Sequence, residues 1–124
     1  MKVITDKINT LPDHSISKKE VETILKCVPI DFRGTVVKFK ISAQLFSNSA
    51  WERPVIYNNT TYNILSRGLD KKLVIHELLI ELFKNETRIG QGNQEHKLTN
   101  AERQKLDTVV QPYFEDILKV LGLS

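Results

Sequence analysis

The chain has 124 residues and 14.3 kDa, which suits one domain around one core and leaves no room for several. Hydrophobic residues make up 40% and charged residues 27%, a globular composition that excludes a disordered chain. A net charge of +3 with a pI near 9.0 permits a weakly acidic partner but falls well short of the basic footprint of a nucleic-acid binder.

The opening stretch MKVITDKINTLPDH has no apolar run long enough for a signal peptide, and no later segment approaches a membrane span. The expected setting is therefore the cytoplasm, without membrane contact. Ser17-Lys18-Lys19-Glu20 is a capping box that announces the first helix, and Val21, Ile24, Leu25 and Val28 follow at helical spacing before Pro29. Cys27, the one cysteine, lies among these apolar residues and reads as a small packed hydrophobe. Alone, it excludes an internal disulfide and a zinc site of several thiolates.

Thr35 to Ser42 follows, with Val37, Phe39 and Ile41 alternating with Lys38 and Lys40 as in a strand with one wet face. Val55-Ile56-Tyr57 and Tyr62-Asn63-Ile64-Leu65 flank Asn58-Asn59-Thr60-Thr61, which predicts a hairpin. Arg67, Lys71 and Lys72 gather ahead of the next helix, where cations oppose the helix dipole, and read as a solvated cluster. Asp70 is placed to cap that helix, predicted from about Lys71 to Lys84. A loop with Gly90 and Gly92 leads to a second capping box, Thr99-Asn100-Ala101-Glu102, and Pro112 stands where a further helix would start. The order predicts a single α+β domain, residues 1–124, with a small antiparallel or mixed sheet and three to four helices around a central buried one.

That central helix, LVIHELLIELF over residues 73–83, interrupts its apolar run only at His76, Glu77 and Glu81. Helical steps of three, four or seven join Asp70, Glu77, Glu81, Lys84 and Arg88 into one stripe, which reads as a solvated line of ion pairs. A sharper reading is metal chemistry. In HExxH two histidines one turn apart bind zinc, and the glutamate after the first activates the bound water. Here Ile80 stands at the second histidine position and offers no lone pair. Ligands for zinc would then have to come from His76, Glu81, Glu86 and His96, with Glu77 as general base.

RGTVVKFKIS, RPVIYNNTTYNIL, LDKKLVIHELLIELF and KLTNAERQKLDTVV together resemble the zincin-like metallopeptidase fold, by order of elements over residues 29 to 110. They stand where such domains have a core strand, an edge strand over the substrate cleft, the active-site helix and the closing helix. The resemblance implies a degenerate member: His76 and Glu77 at the first-ligand and general-base positions, the second ligand lost, no cofactor bound and no hydrolysis. A cleft and sheet edge kept without the metal imply a module that binds an extended peptide or another protein by strand addition. Trp51, Arg53, Tyr57 and Tyr62 offer the aromatic and cationic groups enriched at binding hot spots.

Three functions are thus carried forward. The first is a non-catalytic protein-binding or regulatory module. The second is a divergent zinc-dependent peptidase or hydrolase. The third is a small immunity- or phage-type inhibitor of unrelated α+β fold, in which His76 and Glu77 are core and nothing more.

Overall fold

A computed structural model describes residues 2–29, 38–46, 53–58, 60–87 and 98–124, with the backbone alone at 85–87. In chain order the elements are β1 (Lys2–Thr5), α1 (Lys18–Cys27), β2 (Lys38–Ile41), β3 (Val55–Asn58), β4 (Thr61–Ile64), α2 (Lys71–Thr87) and α3 (Asn100–Val120). The strands form one mixed sheet in the order β1-β2-β4-β3. β1, β2 and β4 run parallel, and β3 pairs with β4 as an antiparallel hairpin arm. This is the expected α+β class.

Alternation along each strand sorts the sheet into two faces. Val3, Phe39, Tyr62 and Tyr57 are in register across all four strands, and so are Thr5, Ile41, Ile64 and Val55. These rows face the helices. Phe39 stacks on Tyr62 at 4.9 Å between ring centroids, and Tyr57 packs on Tyr62 at 4.5 Å. Val21 and Ile24 of α1, most apolar positions of α2, and Leu106, Val110 and Ile117 of α3 join the same buried cluster. The opposite rows, Lys2-Lys38-Thr61-Asn58 and Ile4-Lys40-Asn63-Ile56, form the outer face.

Local sequence accounts for the helix starts. Glu20 N donates to Ser17 Oγ at 3.2 Å while Ser17 N donates to Glu20 Oε1 at 2.9 Å. Thr99 and Glu102 close the same reciprocal pair ahead of α3. Both capping boxes work as read.

Five expectations change. β1 was not foreseen, because four residues carry too little alternation to stand out; its pairing with β2 more than thirty residues on makes it a strand. α2 runs to Thr87 instead of stopping at Lys84. α3 continues through Pro112 where a new helix was expected, since that proline is exposed and the Thr108 carbonyl it cannot satisfy lies on the wet side. The charged stripe of α2 is not solvated at its centre, for Glu81 and Lys84 are only 5% and 2% exposed. Of the basic cluster ahead of α2 only Lys72 is exposed. Arg67 is buried and donates to the carbonyls of Pro12, Ala43 and Thr10, and Lys71 pairs with Glu20 at 2.7 Å.

Candidate functional site

α2 is apolar on most of its circumference because the sheet side and α3 cover it from different directions. Val74, Ile75, Leu78, Leu79, Leu82 and Phe83 are buried in the shared core. Tyr113 of α3 packs on Phe83 and Phe114 on His76, so neighbouring residues of α3 meet α2 positions two turns apart. A helix that crosses its partner makes such contacts; one that runs alongside does not.

At this crossing the His76-Glu77 pair turns toward α3. Arg103 grips Glu77 with a fork, Nη2 to Oε1 at 2.6 Å and Nη1 to Oε2 at 3.4 Å. Its Nε donates to Asp107 Oδ1 at 3.2 Å, and the same oxygen stands 3.6 Å from His76 Nε2. The His76 ring meets Phe114 edge-on at 5.1 Å. One guanidinium thus ties two carboxylates, and one of those carboxylates faces the imidazole. Burial works to lower the pKa of Arg103, but the hydrogen bonds and charges of Glu77 and Asp107 outweigh it and hold the group above its ordinary value.

This geometry bears directly on metal chemistry. A general base needs a free carboxylate oxygen near the metal-bound water, and both oxygens of Glu77 are engaged by Arg103. Ile80, at the second-ligand position, is 2% exposed and sits in the core, so apolar packing fills that part of the helix face. Glu81 lies five positions after His76, about 140° around the helix axis, and their neighbours differ accordingly. Glu81 lies between Lys84 Nζ at 3.6 Å and Arg53 Nη1 at 3.8 Å, two cations that would repel a metal ion. Among the described residues no three His, Cys, Asp or Glu side chains are grouped to hold a metal. The described part of the ligand set does not fit zinc. His96 and the Glu86 side chain lie outside the described residues.

Glu81 itself is unusual. Its Oε1 is buried without a hydrogen-bond partner, since Lys84 stands beyond hydrogen-bond reach of it. Burial raises the Glu81 pKa above the usual carboxylate range, and the cations Lys84 and Arg53 offset that only in part. Burial likewise lowers Lys84 despite the charge of Glu81.

The predicted protein-binding residues divide. Tyr62 is 1% exposed, stacked on Phe39 and tilted against Tyr57, so it is core and not a contact residue. An aromatic on an inward row of the sheet packs the helices whatever its chemistry suggests. Tyr57 is half-buried beside it, and Arg53 is committed to Glu81. Trp51 lies outside the described residues. A cleft of about 420 Å³ opens between the end of β1 and the start of α1, lined by Thr5, His14, Ser15, Lys18, Glu20 and Lys71, and holds none of the predicted site residues. No helix of the described residues is long and apolar enough to cross a membrane.

Sequence reasoning missed Arg103 and Asp107. Their i, i+4 spacing was the available signal, but it does not say that the fork reaches back 26 residues to Glu77. Comparison of the chain with family models, with curated proteins and with solved structures finds no match.

Proposed function

We propose that the chain is a non-catalytic protein-binding module in which the His-Glu pair of a zincin-like helix serves as a lock between two helices. One observation carries this reading: Arg103 engages both oxygens of Glu77, where a hydrolase would keep that carboxylate open to water. The order of strand, hairpin and helices over the described residues is compatible with a zincin-like core stripped of its chemistry. Binding then falls to the surfaces the sheet leaves open, as in domains that recognise a partner by strand or face.

The turn of His76 and Glu77 against α3 also favours the reading as an inhibitor-like domain of unrelated α+β fold. Both readings are non-catalytic and differ in ancestry alone. Metal content separates them from a hydrolase. Elemental analysis of protein purified without chelator, then offered one equivalent of zinc and desalted, is expected to find well under one tenth of an equivalent retained. One full equivalent, lost in His76→Ala, together with peptide hydrolysis that disappears in Glu77→Gln, would overturn the proposal.

A further inference from the structure

The outer face of the sheet carries a charge arrangement that the fold alone does not explain. The parallel register sets Lys2 on β1 directly opposite Lys38 on β2, and Lys40 follows two residues on along the same face. Like charges directly opposite each other destabilise a sheet. Lys40 has Asp6 at 3.6 Å. Lys2 and Lys38 are exposed and make no ion pair with any described residue. Lysines on edge strands are a familiar guard against edge-to-edge association. That explains Lys2 on the edge strand β1 but not Lys38, because β2 is an interior strand flanked by β1 and β4.

What surrounds the lysines narrows the occupant. The other half of the face presents Thr61, Asn63 and Asn58, neutral groups that both donate and accept hydrogen bonds. Ile4 and Ile56, both half-buried, flank the second row at its two ends and offer apolar contact. The aromatics of the strands, Phe39, Tyr57 and Tyr62, all lie on the inner rows, so the strands themselves offer the outer face no ring on which a nucleic-acid base could stack. Cations beside neutral amides with aliphatic flanks, and no stacking platform among the strand residues, complement a polypeptide that carries carboxylates.

We propose that this face, with Lys2, Lys38 and Lys40 on its β1–β2 half, docks an acidic segment of a partner protein; the inference rests on the protein-binding reading above and gives that reading its surface and the charge of its partner. The two opposed lysines repel one another until carboxylates arrive between them, so the module gives up a little stability for attraction to its partner.

Titration of the ¹⁵N-labelled full chain with a decaglutamate peptide tests it. Saturable shifts are expected at Lys2, Ile4, Lys38, Lys40 and Asn63, weakening as salt is raised. Lys38→Glu is expected to weaken binding about tenfold or more. The same variant should melt about 1–4 °C higher at low salt, because it replaces a repulsion by an attraction. Better folding with poorer binding is a combination that a structural role for Lys38 does not produce. Lys105→Glu, an exposed lysine on α3, serves as the control and should bind as wild type. Shifts spread over the helix lysines, equal binding by Lys38→Glu, or binding of a thymidine oligonucleotide in place of the peptide would each overturn the proposal. Shifts centred on Arg53 and Tyr57 would overturn this face while leaving the protein-binding reading intact. Zinc-dependent hydrolysis would remove that reading without moving the shifts.

Discussion

Glu77 and Glu81 sit one turn apart on α2 and meet their counter-ions in different ways. Glu77 is held by a two-pronged guanidinium at 2.6 and 3.4 Å, with Asp107 closing the network. Glu81 is buried more deeply, yet its cations stand at 3.6 and 3.8 Å and one of its oxygens has no hydrogen bond. Nearness of opposite charge is common to both. Glu77 has a two-pronged hydrogen bond to offset desolvation, whereas Oε1 of Glu81 has none, and in a low-dielectric interior that difference decides whether an ion pair stabilises or merely survives.

Removing one member of the deeper pair should expose the contrast most. Glu81→Leu leaves Lys84 buried without that counter-charge and is expected to cost about 3 kcal/mol in urea unfolding, whereas Glu81→Leu with Lys84→Met should come within about 1 kcal/mol of wild type. A double variant as damaged as the single one would mean that the pair is strongly favourable after all. Glu77→Gln keeps the shape but loses the charge-assisted fork. Because Arg103 is more than a third exposed, water replaces part of what is lost, and the cost should be about 1 kcal/mol.

Glu81 and Glu20 respond to pH with opposite sign. The folded-state pKa of Glu81 is raised above its ordinary 4.5, so its contribution is fully present below that value and is lost as pH rises through the raised one. Wild type should therefore lose stability relative to Glu81→Gln as pH climbs out of the acid range. A constant difference across that range would contradict the burial effect. Glu20 behaves oppositely. Burial raises its pKa, but Lys71 and Ser17 overcome this and leave it lowered, so its contribution is present above 4.5 and is lost as pH falls through the lowered value. Glu20→Gln should accordingly flatten the acid limb by a few tenths of a kcal/mol, the smallest effect of the set.

Much of the architecture was written locally. Ser17 and Thr99 marked two helix starts through capping boxes that need only four residues to operate. The alternation around Lys38 and the hairpin between β3 and β4 were legible for the same reason, although the positive φ of 67° falls on Thr60, where an asparagine was the expected residue. What escaped was non-local. β1 exists because β2 lies beside it, and Pro112 is tolerated because its side of α3 faces water. The burial of Glu81 and Lys84 depends on Arg53 and on the crossing of α3, neither of which a helical stripe contains. The candidate site suffered most. The sequence places His76, Glu77 and Ile80 on one helix, but it does not show that Asp107 and Arg103 face the first two or that Ile80 is core. A dipeptide motif names chemistry only when its surroundings leave the atoms free.

The lock between α2 and α3 is tested most directly by a double-mutant cycle on Glu77 and Arg103, with stability read from urea unfolding of the two single variants, Glu77→Gln and Arg103→Met, and their combination. The account predicts that the pair is coupled by about 1 kcal/mol and that saturating zinc leaves the coupling unchanged. Additive losses, or a coupling that vanishes when zinc is added, would contradict it.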